Sequence, residues 1–249
     1  MKDFDYQTFY DAIGRTNGWD FSQIKCVTEG EAWEMYREVA GQCTPASLLL
    51  DIGTGGGEAV LSIADSVRLL VGVDRSAAMI ETAQRNAVRA GHAHARFLHM
   101  EADHLAFPDA FFDVVSSRHS EWHAGEIARV LASGGTFITQ QVSEGDKSNL
   151  KEAFGRGQAW GVPPGELQAR YVAELRAAGF RDIRTFEFSI TEYYETAEDL
   201  IFLLKHTPII PNFGREPDDS RVLHQFIETY RTDRGIRTNA DRFGIIARR

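Results

Sequence analysis

The stretch Leu48-Leu49-Leu50-Asp51-Ile52-Gly53-Thr54-Gly55-Gly56-Gly57-Glu58 passes from an unbroken apolar block into alternating glycines. A short apolar run that ends this way reads as a buried strand turning into a helix, the arrangement by which open parallel sheets receive a nucleotide-like ligand. Gly53 and Gly55 can take positive φ and bring the backbone close to a ligand with no Cβ in the way. A helix expected over 57–66 would add unpaired amides at its first turn.

The acidic flanks of this loop select among ligands. In the dinucleotide fingerprint G-x-G-x-x-G, counting from Gly53, the third glycine falls on Glu58. Carboxylates at Asp51 and Glu58 would face a pyrophosphate at short range, where like charges repel. A ligand carrying an amino group and a sulfonium meets no such penalty. Downstream, Leu69-Leu70-Val71-Gly72-Val73-Asp74 reads as a second buried strand whose terminal acid lies 21 residues beyond Gly53. That is the spacing at which a carboxylate commonly holds a ribose diol.

Three further segments follow in order: Ala102-Asp103-His104-Leu105-Ala106-Phe107-Pro108, Phe112-Asp113-Val114-Val115 and Arg129-Val130-Leu131-Ala132-Ser133-Gly134-Gly135. With the glycine loop and Val73-Asp74, they make residues 48 to 142 resemble the class I S-adenosylmethionine (SAM) dependent methyltransferases, specifically the bacterial small-molecule, type 11-like branch. The resemblance implies SAM as cofactor and S-adenosylhomocysteine as product. It further implies that Asp51, Gly53, Thr54, Gly55 and Gly57 cradle the methionine part and that Asp74, with Arg75 beside it, holds the ribose. Glu101 and Ala102 would flank the adenine, Ser117 would line the cleft, and Tyr10 or Trp19 would cover the sulfonium, which aromatic faces stabilise. Family members usually carry Asp where this chain has Glu101, and its segment between His123 and Arg129 is shorter than usual.

The fold this implies is α/β: a Rossmann-like, doubly wound, seven-stranded sheet, mostly parallel with an antiparallel last strand, plus N-terminal helices and a helical cap inserted before that strand. Strands are expected at 47–52, 68–73, 94–99, 111–117, 135–142 and 182–192, with Phe243–Ala247 the last. Helices are expected at 57–66, 76–90, 122–131, 146–156, 166–178, 198–205 and 218–231. Such alternation means a parallel sheet covered on both faces. Two helices precede it, the second opening at Thr28 with Glu31 as a capping box, and Asn17-Gly18-Trp19-Asp20 is a turn signal between them. The chain is read as one methyltransferase domain over 1–249. Residues 1–46 form its cover, 47–142 the cofactor core and 143–249 the acceptor half, with the cap at 193–242, since a connection that long is usually a lid or binding element.

Composition narrows the function. With 249 residues, 43% hydrophobic and 25% charged, the chain is ordinary for a globular protein. Its net charge of −9 disfavours nucleic acid as a partner. The lack of a long apolar run and of a secretion signal leads to the expectation of a cytoplasmic protein with no membrane partner. Cys26 and Cys43 lack metal-site spacing and read as reduced thiols.

His119 and His123 follow the strand ending at Ser117 and are the candidates for a general base. Their His-x-x-x-His spacing lacks the Glu and third ligand of a zinc motif, so no metal is expected. Trp33, Trp160, Tyr193, Tyr194 and Phe213 read as core or pocket walls. The leading function is methyl transfer from SAM to an O, N or C atom of a small molecule. RNA or protein methylation and SAM binding without turnover are the alternatives, with a dehydrogenase a distant fourth. The acceptor and the oligomeric state are not encoded in any motif.

Overall fold

The computed structural model describes residues 6–16 and 21–249. Helix α1 (Tyr6–Thr16) comes first, then strand β1 (Cys26–Glu29) and helix α2 (Met35–Gln42). The half in which strands and helices alternate follows with β2 (Leu48–Ile52), β3 (Leu69–Asp74), α3 (Ala77–Ala90), β4 (Ala95–His99), β5 (Phe112–Arg118), α4 (Ala124–Val130) and β6 (Leu131–Val142). Next are α5 (Ser148–Phe154), α6 (Glu166–Ala177) and β7 (Arg181–Tyr194). The inserted helices α7 (Ala197–His206) and α8 (Asp219–Tyr230) lead through β8 (Arg231–Thr232) into β9 (Gly235–Arg248). The strands form one sheet in the order β1-β7-β9-β6-β5-β2-β3-β4, with β8 paired to β9.

Strands β4, β3, β2, β5 and β6 are parallel, and β9 runs antiparallel between β6 and β7. Alternate residues therefore serve opposite faces. Leu50, Ile52, Val115 and Phe137 pack with Ile127 of α4 and Leu175 of α6. Leu49, Leu70, Val114 and Ile138 pack with Val39 of α2 and Ile80 and Ala83 of α3. A third apolar cluster, Phe154, Leu200, Leu204, Ile210, Leu223 and Phe226, is the core of the inserted cap. Thr196 and Asp199 close a reciprocal capping box that starts α7.

Three sequence expectations are corrected. The sheet has nine strands rather than seven, because β1 and β8 add to it. Thr28 starts no helix: it lies in β1 opposite Glu192, where Val27 and Thr28 suit a strand and cover the open edge of β7. The helix expected over 57–66 shrinks to a 3-10 segment, Val60–Ser66, since Gly57 at φ 75° cannot join a right-handed helix. The last strand is also longer than its apolar signature, because polar residues 235–242 continue its pairing with β7. The turn at 17–20 lies outside the described residues. No helix among the described residues is long and apolar enough to cross a membrane.

Candidate functional site

Strand order reverses at β2, whose neighbours are β3 and β5. The crevice beyond the carboxyl ends of these strands is where open α/β sheets place ligands, and the glycine loop falls there. Gly53, Gly55 and Gly57 all adopt positive φ, 70°, 58° and 75°. Gly53 and Thr54 donate their amides to the Val73 carbonyl at 2.9 and 3.0 Å, and Gly55 donates to Asp74 Oδ2 at 2.9 Å. A Cβ on Gly53 would lie 2.0 Å from Ser120 Oγ, so the loop after β5 closes directly over the glycine turn.

Asp51 is buried on the face of β2 that α2 covers, and two side chains engage it there. Ser116 Oγ, from the paired position of β5, donates to Oδ1 at 2.6 Å; Tyr36 of α2 donates to Oδ1 at 3.3 Å and Oδ2 at 3.4 Å. Burial pushes the Asp51 carboxyl up to about 6, against the pull of these hydroxyls and of Arg118. Arg118 lies over the Tyr36 ring, 6.0 Å from its centroid. Asp74 is also raised by burial, although Ser76 N, at 2.9 Å from Oδ1, and Gly55 N hold its charged form. Ser76 caps α3 and donates to Asp11 Oδ1 at 2.6 Å, which fastens α1 beside this corner.

The remaining candidates occupy distinct places. Arg75 Nη1 lies 3.9 Å from Glu121 Oε2, joining the β3 and β5 loops across the cleft. Glu101 is exposed, Ala102 is half-buried against the core, and buried Ser117 lines the end of β5 with its Oγ 3.4 Å from the Ser120 carbonyl. The Tyr10 side chain and all of Trp19 lie outside the described residues.

His119 sits at φ 54° with its amide on the Gln140 carbonyl at 2.8 Å. Its Nε2 is 3.0 Å from Gln140 Nε2. Burial, with Arg242 and Arg118 nearby, drives its pKa well below the usual histidine range, so the ring is neutral at neutral pH. His123 is occupied differently: it is the N-cap of α4, and its Nδ1 accepts from Glu126 N at 3.2 Å. Of the aromatics, Trp33 packs edge-on to Phe186 at 4.4 Å, Tyr194 is buried and donates to Glu192, and Phe213 meets Phe154 in the cap. Trp160 is exposed.

Tyr36, Ser116, Arg118 and Ser120 join the site without having been singled out from the sequence. Ser116 had a readable signal, since it shares a face with Asp51 once β2 and β5 are paired in register. Tyr36 had none, because its approach depends on how α2 docks. Arg129, the start of the last motif segment, serves the framework: it binds Glu126, Asp109 and the carbonyls of Phe107 and Leu105, tying α4 to the preceding loop.

The site is polar, acidic and glycine-lined. Its donor set suits an adenosyl amino acid: a buried carboxylate for an ammonium, a second carboxylate for hydroxyls, and close-approach backbone. The buried Thr54 hydroxyl lies beside Asp51 and helps to hold its charged form.

Comparison with known proteins agrees. Residues 50–139 match the family model described as a methyltransferase domain. The uncharacterized methyltransferase YcgJ of Bacillus subtilis is 33% identical over 121 residues, 46% of this chain and 47% of YcgJ, so the match spans about half the length of that relative. The crystal structure of YcgJ superposes with a TM-score of 0.60 at 18% identity, covering 86% of this chain and 97% of that one. A structure of a putative methyltransferase from Bacillus halodurans gives 0.60 at 19% identity, covering 86% and 96%. Residues 50–139 are therefore similar to the methyltransferase domain family, and most of the chain shares the fold of these two solved structures.

Proposed function

We propose that the protein transfers a methyl group from SAM to an O, N or C atom of a small molecule. The observation that carries this reading is the buried Asp51, held by Ser116 and Tyr36 beside three glycines of positive φ, with Asp74 one strand away. In this assignment Asp51 receives the ammonium of the methionine part, and Gly53, Thr54, Gly55 and Gly57 give it backbone contacts. Asp74 and Arg75 face the ribose, Glu101 and Ala102 the adenine, and Ser117 the reacting end of the cleft. SAM, when bound, supplies an activated methyl group, so the chain's own task is alignment and exclusion of water.

On the acceptor side, the proton-accepting role is assigned to His119, which requires its contact with Gln140 to change. With the Gln140 amide donating to Nε2, the ring proton resides on Nδ1; turning that amide over reverses the tautomer and frees Nδ1 as the acceptor. His123 has no part in the assignment, because capping α4 occupies its Nδ1. Beneath the cap, Lys147 pairs with Glu192, Arg242 with Asp146 and Arg156 with Asp219. Pairing of these cations, together with the net charge of −9, supports a small acceptor over RNA.

Calorimetry of SAM binding tests the assignment: Asp51→Ala is expected to abolish binding, and unchanged affinity would sink it. Release of S-adenosylhomocysteine on incubation with a metabolite extract separates turnover from binding alone.

A further inference from the structure

At the end of the sheet opposite the glycine loop, three residues from two loops converge. Asp65 lies in the last turn of the 3-10 segment before β3, and His92 and His94 lie in the turn between α3 and β4. One ligand atom from each lies within 4.8 Å of the other two, and His92 Nδ1 is 3.4 Å from Asp65 Oδ1. We propose that Asp65, His92 and His94 form a binding site for one divalent transition-metal ion of the zinc, cobalt or nickel type.

The second observation is how His94 is held. Its Nε2 lies 2.9 Å from the Ala64 carbonyl. A carbonyl only accepts, so Nε2 carries the proton and Nδ1 keeps its lone pair. A ring N–H donated to a backbone carbonyl is the arrangement that fixes the tautomer and orientation of metal-binding imidazoles. The backbone beneath is fixed as well. Gly91 at φ 77° closes α3, His92 N donates to the Ala87 carbonyl at 3.1 Å, and the His94 carbonyl accepts from Leu70 N at 3.3 Å. The Ala64 carbonyl also receives Val67 N at 3.3 Å, which ends the segment bearing Asp65.

Metal bonds of about 2.0–2.2 Å require the three ligand atoms to draw closer. Asp65, whose side chain is 90% exposed, is free to swing inward, while the His92 side chain is only 18% exposed. Two imidazoles and one carboxylate favour borderline metals over calcium or magnesium, and the open side leaves positions for water. Such an ion would clamp the 3-10 segment to the start of β4. The site lies at the other end of β3 from the cleft, a strand length on the order of 20 Å, so it stands or falls independently of the methyltransferase reading.

The test is titration of the full chain with Co2+, read by its visible absorption, and with Zn2+ by calorimetry. One equivalent is expected, with affinity reduced about tenfold or more in His92→Gln and in Asp65→Asn. Far-ultraviolet circular dichroism establishes that each variant is folded. His224→Ala, which removes a helix-surface pair with Glu228, should leave the titration unchanged. Affinity unaltered by His92→Gln and Asp65→Asn together, loss of the equivalent in His224→Ala, or no binding at submillimolar Zn2+ would each overturn the proposal.

Discussion

Asp51 illustrates how one residue can be held at the expense of stability. Its carboxyl, ordinarily near 3.8, is raised to about 6 by burial. A raised folded-state value means that its contribution to stability is complete below the unfolded value, near pH 3.8, and is lost as pH rises through about 6. The difference corresponds to about 3 kcal/mol as an upper bound. Asp51→Asn is therefore expected to stabilise the ligand-free protein by about 1–3 kcal/mol at pH 8 and little at pH 4, while removing SAM affinity. Urea unfolding at the two pH values checks it; equal effects at both would assign the change to packing instead. His119 shifts the other way, its neutral form favoured by burial and by Arg242 and Arg118. If it is the base, His119→Ala lowers turnover about 10²–10⁴-fold with SAM affinity unchanged. The wild-type rate should then show no histidine inflection near pH 6.5, because the proton-accepting form persists well below that value. An inflection at 6.5 that survives in His119→Ala assigns the base elsewhere.

Elements around the site are joined by contacts that local sequence does not encode. Gly244 in β9 is one such joint: a Cβ there would lie 2.3 Å from Phe186 Cζ and 2.8 Å from Trp33 Cζ3. The missing side chain lets Trp33, just before α2, lie against β7 and β9, and α2 in turn presents Tyr36 to Asp51. Gly244→Ala overpacks this contact and is expected to cost about 1–3 kcal/mol. A weakened SAM affinity should accompany the loss, since displacing α2 moves Tyr36. Retained stability, measured by thermal unfolding, would mean that the rings give way without strain. The glycine turn is a comparable joint, where Gly53 leaves room for Ser120 and so brings the β2 and β5 loops together.

Across the whole molecule, the seam between sheet and cap is polar and buried. Lys147 Nζ lies 2.5 Å from Glu192 Oε2 and 3.0 Å from the Asn239 carbonyl, while Tyr194 donates to the same Glu192 oxygen at 2.5 Å. These contacts tie the start of α5 to β7 and β9. Removing one member strands a buried charge, so Lys147→Met is expected to cost about 3–5 kcal/mol, with much of it recovered in Lys147→Met/Glu192→Gln. Urea unfolding of the single and double variants measures the difference. A double variant no more stable than the single would show that Lys147 acts through its other contacts.

The sequence by itself determined the parallel core, the placement of the glycine loop and the acids that flank it. These are local signals: apolar runs of strand length, glycines at positive φ, and a carboxylate at the end of β3. Even the inserted helices α7 and α8 were legible within the long connection containing them, α7 from its apolar face. Tertiary structure alone decided that Tyr36, Ser116 and Ser120 close around the loop, because which residues meet across a sheet depends on register and on helix docking. It also turned Thr28 from a helix cap into an edge strand, since the open edge of β7 outweighed a local capping pattern. Likewise it set His123 to capping α4 and gathered Asp65 with His92 and His94, separated by more than two dozen residues in the chain.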